Sequence, residues 1–238
     1  MKFNKIDLSY LNGKIFSNGR HFNFSGSNPK NVERIDFLEN YCKNKTVIHF
    51  GFADHIPLIE TKIFNDQWLH GRLIKSSSDC LGVDTNSESI DFIKNKYNID
   101  HLLVFDVLKD KVPISIKSKY WDIVVLGEVL EHVNNPVEFL NAIKTKLGKY
   151  VQKIVITVPN AMDIININNV FYNIEYINSD HRYWFTPYTL AKILTESGLS
   201  VKNFTFSQTY YPKNFIKKFL INRFPMFRET LIMDAFFS

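Results

Sequence analysis

Short apolar runs, each closed by a glycine or a polar residue, alternate along the chain with longer segments whose apolar positions recur at helical spacing. Thr46 to Phe50 is a β-branched run that breaks at Gly51, Cys80 to Val83 ends at Asp84, and His101 to Phe105 ends at Asp106. Asp122 to Gly127 and Val151 to Val158 follow, the latter closed by Pro159 and Asn160. Their Val and Ile content suits strands covered on both faces. Helical spacing runs through Pro29 to Lys43, where Val32, Ile35, Leu38 and Tyr41 share a stripe after an Asn-Pro start. It returns in Ser87 to Tyr97, with Ser87 and Glu88 near the start, and in Val137 to Leu147 after Asn134, Asn135 and Pro136. Pro187 to Ser197 is a further helix, capped by Thr186 and stopped at Gly198. Strand and helix in turn predict an α/β fold on a mostly parallel sheet.

The remaining segments are less regular. Residues 1–28 have no clear period and read as an N-terminal arm or cap over the sheet. The connection from Gly51 to Cys80 is too long for a plain crossover and predicts one or two short helices around Phe52-Ala53-Asp54-His55 and Trp68-Leu69-His70. Met162 to Asn178, rich in Asn and Ile, reads as an inserted helix, so that residues 161–186 form a lid within a single domain spanning 1–238. Val201 to Gln208 alternates as a sixth strand, Phe215 to Leu220 reads as a short basic helix, and Thr230 to Phe236 as a seventh strand.

At 238 residues, 45% of them hydrophobic, the chain buries a full core. The excess of 29 basic over 24 acidic residues is spread along the chain, which permits an anionic substrate and speaks against nucleic acid as a partner. Cys42 and Cys80 give neither a disulfide framework nor a zinc spacing, and a reducing cytoplasmic location is expected. The first residues lack the apolar core of a signal peptide. No run approaches the ~18 apolar residues of a membrane span, so membrane insertion is not expected. Composition is silent on oligomeric state.

Candidate chemistry gathers at the strand ends, where open α/β sheets keep their ligands. Asp84, after the second strand, is placed to accept both hydroxyls of a ribose, and Asp106, after the third, to take an adenine amino group; as single residues, both also suit helix capping. Glu128, Glu131 and His132 follow the fourth strand at a spacing that puts them on one rim, and His181 lies in the segment that returns after the fifth. Tyr183, Trp184 and Phe185 beside it read either as an apolar wall of the site or as core. Arg34 reads as a solvated arginine or as a cation for a ligand carboxylate. Lys213, Lys217, Lys218, Arg223 and Arg228 read as a solvated basic face or as contacts to an anionic substrate.

The pieces Val47-Ile48-His49-Phe50-Gly51, Leu81-Gly82-Val83-Asp84, Phe105-Asp106-Val107, Trp121-Asp122-Ile123-Val124, Glu128-Val129-Leu130-Glu131-His132-Val133 and Ile156-Thr157-Val158-Pro159-Asn160 resemble the class I S-adenosylmethionine-dependent methyltransferases, over about Val47 to Phe206. The resemblance implies a Rossmann-like seven-stranded sheet with the last strand antiparallel. It also implies S-adenosyl-L-methionine as cofactor: Gly51 against its methionine part, Asp84 on the ribose, Asp106 and Val107 on the adenine, and Glu128 at the pocket. The first motif departs from the family's acidic-x-Gly-x-Gly-x-Gly, since His49, Ala53 and His55 stand where the acid and two of the glycines would be. The Ala-Asp-His and Trp-Leu-His stretches resemble a branch associated with bacterial surface-polysaccharide genes.

These likenesses give an O-methyltransferase acting on a carbohydrate or glycan precursor. His132 or His181 would remove the hydroxyl proton, with Glu131 alongside; such general-base help supplies about 10²- to 10⁴-fold in rate. His55 and His70 would shape the methionine end, or serve as ordinary packing histidines. The spacing of Glu128, Glu131, His132 and His181 also resembles the metal site of small-RNA 2′-O-methyltransferases, and similar sequence occurs in ubiquinone-pathway O-methyltransferases. That implies a divalent ion, Mg or Mn, favouring the alkoxide as a Lewis acid, and as the alternative function a metal-assisted RNA 2′-O-methyltransferase or another small-molecule methyltransferase. A third reading is a non-catalytic module whose altered glycine loop has lost the cofactor. A dehydrogenase lacks support, because the pyrophosphate glycine fingerprint is absent.

Overall fold

The computed structural model describes residues 1–24 and 30–237. Seven strands form one sheet: β1 (Thr46–Phe50), β2 (Asp79–Asp84), β3 (Leu102–Val104), β4 (Trp121–Gly127), β5 (Val151–Pro159), β6 (Leu199–Ser207) and β7 (Thr230–Phe237). Their order is β3-β2-β1-β4-β5-β7-β6. The first five pair in parallel, and β7 runs antiparallel to both β5 and β6. Strand order reverses between β1 and β4, so a crevice opens at their carboxyl ends.

Period-two alternation sends the buried residues of the central strands to two cores, one on each face of the sheet. Ile48, Phe50, Val124, Leu126, Ile154 and Ile156 face the helices α7 (Pro136–Leu147) and α9 (Pro187–Glu196), which contribute Leu140, Ile143, Leu190 and Leu194. Val47, Ile123, Val125 and Val155 face α2 (Arg34–Cys42) and α4 (Leu69–Ser76) through Ile35, Leu38, Leu69 and Leu73. A third cluster, with Phe52, Ile59, Trp68, Ile90 and Ile93, joins α3 (Ile56–Phe64) to α5 (Ser87–Tyr97). Thus the connection after Gly51 does hold two helices, and Trp68 fixes it by donating from Nε1 to the Phe52 carbonyl at 3.1 Å.

Several elements differ from the sequence expectation. The arm contains a helix, α1 (Lys5–Leu11), set by a capping box in which the Asn4 side chain accepts from the Asp7 N–H and Asp7 accepts from the Asn4 N–H. The expected start at Asn28-Pro29 lies outside the described residues; α2 begins only at Arg34, which leaves Val32 off the stripe and exposed. The cap of α5 is Asn86, whose side chain takes the Ser89 N–H. A short helix, α6 (Ile114–Lys117), precedes β4, where Trp121 donates from Nε1 to the Ile116 carbonyl. Within the expected lid only α8 (Ile164–Val170) is helical. The basic helix α10 extends from Phe215 to Arg223.

Candidate active site

The loops after β1, β2 and β4 make the floor. Gly51 has φ +67°, and a Cβ there would lie 2.6 Å from Val129 Cγ2, so the two loops touch through glycine. Asp84 braces the same corner, accepting from the Ala53 N–H at 3.1 Å and the Asn86 N–H at 3.0 Å. Burial pushes its carboxyl above the usual range, and these bonds oppose the shift.

Three cavities line up along this edge. The first, about 460 Å³, is bounded by Gly51, Asp84, Phe105, Asp106, Val107 and His132. The second, about 790 Å³, shares Gly51, Asp84, Val129 and His132 with it and adds His49, His55, Glu128 and His181. The third, about 700 Å³, shares Arg34, Glu128 and His181 with the second and extends past Asp163, Tyr176, Trp184 and Tyr210. Asp84 and Asp106 therefore face a common space. Asp106 is already engaged: it accepts from the Leu108 N–H and pairs with Lys109 at 2.9 Å, which holds its carboxyl below the usual range.

Two loops far apart in sequence meet at the rim. Arg182 donates its backbone N–H to the Glu131 carbonyl at 2.7 Å and its guanidinium to the His132 carbonyl, while the Tyr183 hydroxyl donates to the Asn134 carbonyl at 2.7 Å. This stitching sets the His132 and His181 rings edge to face, 4.6 Å between centroids. One ligand atom from each of Glu131, His132 and His181 lies within 4.8 Å of the others. Glu128 falls outside that mutual set. Glu131 is fully buried, and neither carboxylate oxygen has a partner among the described residues. Burial first, and then the charge of Glu128, raise its carboxyl far above the usual range, with Arg34 acting in the opposite direction. His181 is lowered by burial and by His132, and its Nδ1 is buried without a partner among the described residues. Glu128 itself has φ +59°, a conformation rare for a side-chain-bearing residue, and its Oε1 is buried and unpaired among the described residues.

Other expected residues separate. His70 lies in the core, not in the cleft: its Nδ1 is 3.3 Å from His49 Nδ1, and Gly82 has no side chain where the His70 ring packs. Burial lowers both imidazoles, His49 to about 3. His55 is exposed at the rim, 3.9 Å from Asp180. Phe185 is core and Trp184 is wall, while Tyr183 lies at the surface. Arg228 leaves the basic face altogether, buried and donating to the Phe206 and Ile221 carbonyls. Sequence reasoning passed over Asp163, whose carboxyl is raised to about 6 by burial, and the Arg182 staple. The only hint of either was its place just after β5 or just after His181.

Residues 30–203 match the family described as Methyltransferase domain. The chain belongs to this methyltransferase family. A SAM dependent methyltransferase from Archaeoglobus fulgidus is similar in fold, with TM-score 0.51 and 18% identity over 85% of this chain and 91% of that one. The small RNA methyltransferase HEN1 gives TM-score 0.56 at 16% identity, over 92% of this chain and 27% of that one. Magnesium protoporphyrin IX methyltransferase from Synechocystis PCC 6803 gives 0.50 at 13%, over 86% and 82%. No curated protein matches the sequence. The sheet order is that of the Rossmann-like class I fold, and the chain is an S-adenosylmethionine-dependent methyltransferase. The methyltransferase has no helix, among the described residues, long and apolar enough to cross a membrane.

Proposed function

We propose that the methyltransferase transfers a methyl group to a hydroxyl of a carbohydrate or glycan precursor, in surface-polysaccharide biosynthesis. The observation that carries this reading is the junction of the second and third cavities at Glu128 and His181. It puts a donor groove end to end with a chamber walled by carboxylate and amide groups and by Tyr176, Trp184 and Tyr210. Such walls suit a polyhydroxylated acceptor, whose polar edges need hydrogen bonds and whose apolar faces stack on rings.

The donor residues fit S-adenosylmethionine. Asp84 is placed for the ribose hydroxyls, Asp106 and Val107 border the adenine space, and the side-chain-free corner at Gly51, with Glu128 beyond it, admits the methionine part. Arg34 points its guanidinium to the end of β4, 3.6 Å from where a Gly127 Cβ would lie, and suits the donor's carboxylate. The bound cofactor supplies an electrophilic methyl group. As the acceptor oxygen takes that methyl, its proton passes to His132 or His181, a role that the lowered basicity of His181 favours by keeping it neutral near pH 7.

A second reading, a divalent ion held by Glu131, His132 and His181, is favoured by the unpartnered Glu131 carboxylate. Burial without hydrogen bonds penalises the charged form of this carboxyl, a cost that a bound cation would offset. The ion would polarise the acceptor hydroxyl as a Lewis acid. RNA is disfavoured as acceptor because Arg34 and Lys62, set among Glu33, Glu128, Asp163 and Glu229, give the chamber too little positive charge to follow a run of backbone phosphates. Titration calorimetry tests the donor assignment: Asp84→Asn should weaken S-adenosylmethionine by roughly 10²-fold, the worth of two hydrogen bonds to a charged group. Unchanged affinity would remove Asp84 from the site.

A further inference from the structure

A surface helix normally turns its apolar stripe inward and its polar residues outward. α10 (Phe215–Arg223) follows this only in part. Ile221 is its one fully buried side chain, while Phe215 and Phe219, one turn apart on the outward face, are 79% and 62% exposed, with Ile216 exposed beside them. From Thr209 to Phe227 the sequence has Lys213, Lys217, Lys218 and Arg223 and no acid; the buried Arg228 and then Glu229 follow. Of these, Lys213, Lys217 and Lys218 make no ion pair among the described residues, and Lys218 lies over the Tyr211 ring at 5.8 Å.

A second outward apolar fringe follows α8. Val170, Phe171, Tyr172, Ile174 and Tyr176 are all exposed, Phe171 by 81%. The two fringes converge on the acceptor chamber, because Tyr176 and Ile177 from one and Tyr210 from the approach to the other line it. Isolated exposed apolar residues are ordinary, but two runs of aromatic and aliphatic side chains around one opening are not.

We infer that α10 and the 170–177 segment form a docking face for an anionic lipid bilayer. The charge of the 209–227 stretch identifies the partner: exposed Lys218 beside the outward phenylalanines, with exposed Lys213 just before the helix, matches anionic headgroups above hydrocarbon, the pairing used by helices that lie in a membrane interface. Aliphatic Ile216, Val170 and Ile174 gain from hydrocarbon, whereas a nucleic acid would reward only the rings. The attachment is peripheral, since no described helix is long and apolar enough to span. Docked this way, the chamber opens toward the headgroup layer. Resting on the carbohydrate reading, the acceptor is then a lipid-anchored glycan.

The test is flotation of the full chain with vesicles of phosphatidylcholine alone and of phosphatidylcholine with about one-third phosphatidylglycerol, at low and physiological salt. The full chain should float with the anionic vesicles only, and less so at higher salt. Phe215→Ser/Phe219→Ser and Lys213→Gln/Lys218→Gln should each weaken that binding more than about tenfold. Thermal midpoint and S-adenosylmethionine affinity should stay unchanged in both, since none of the four residues lines the three cavities of the site. Failure of the full chain to float, or flotation of both variants equal to it, overturns the docking face. So does loss of a dimer in light scattering, or of RNA retention, caused by these substitutions without any lipid binding. Flotation with no methyl transfer to any lipid-linked sugar would leave the docking face standing and sink the carbohydrate reading alone.

Discussion

Gly51 offers the sharpest test of the corner where the donor cavities meet. Gly51→Ala perturbs it in two separable ways. The φ of +67° is strained for any residue with a Cβ, by about 1–2 kcal/mol, and the new Cβ would sit 2.6 Å from Val129 Cγ2, an overlap of the kind that costs about 1–3 kcal/mol. The single substitution should therefore destabilise by roughly 2–5 kcal/mol. In a Val129→Ala background the contact atom is gone, and the same substitution should cost only the backbone part, about 1–2 kcal/mol. Urea unfolding of the four proteins of this cycle gives both numbers. S-adenosylmethionine binding should fall in both proteins that carry Gly51→Ala, since the added methyl enters the space that both donor cavities share. A Gly51→Ala protein within about 0.5 kcal/mol of the parent, or an identical cost in the two backgrounds, would refute the close approach of the loops.

Three further outcomes are expected. His49 and His70 stay neutral in the core, so below pH 6.5 the unfolded chain binds protons that the folded chain refuses, and stability falls with acid by about 1.4 kcal/mol per pH unit for each imidazole. Raised carboxyls such as Asp84 and Asp163 act with the opposite sign, so the measurement is a difference: the urea-derived stability of His70→Asn should drop by about 2 kcal/mol less than the parent's between pH 6.5 and 5, and parallel curves would place a charged His70 in the fold. His132→Ala and His181→Ala should bind donor normally yet lose at least ~10²-fold in turnover; full activity in both would remove them from the chemistry. Under the metal reading, Mn²⁺ should raise the melting temperature of the parent but not of Glu131→Gln, and a chelator should abolish activity; no shift and no chelator effect would leave the histidines as sole base.

The strands and most helices were legible because burial on both faces leaves continuous Val and Ile runs, and because each parallel strand ends where its chain turns to a ligand edge. Asp84 and Gly51 stood out for the same reason. What stayed hidden depends on contacts that leave no local signal. His181 reaches His132 through bonds from the Arg182 main-chain N–H to the Glu131 carbonyl and from its guanidinium to the His132 carbonyl, across some fifty residues of sequence. For His70 the sequence left both a cleft and a packing role open, and it is the glycine at position 82 that makes a slot for its ring inside the core. The arm's helix was masked by a short sequence with little periodicity, and only the Asn4 and Asp7 spacing marked it.

Glu128 is, among the described residues, the one acid that lines both the donor groove and the acceptor chamber, and it sits there in an unfavourable state. Its backbone is left-handed at about 1–2 kcal/mol, and its unpaired buried Oε1 forfeits hydrogen bonds to water. Its charge also pushes on Glu131. Glu128→Gly removes all three penalties and adds back only the greater freedom of glycine in the unfolded chain, about 0.5–1 kcal/mol. The variant should be as stable as the parent or up to ~2 kcal/mol more stable, while turnover collapses, because strain retained at a site marks a group needed for binding or chemistry. Glu128→Gln separates the causes, for it keeps the backbone strain and loses the charge: its stability should lie between the other two. A Glu128→Gly protein that unfolds more easily and still transfers methyl at the parent rate would show the side chain to be a structural support, and the join between the two cavities to be chemically idle.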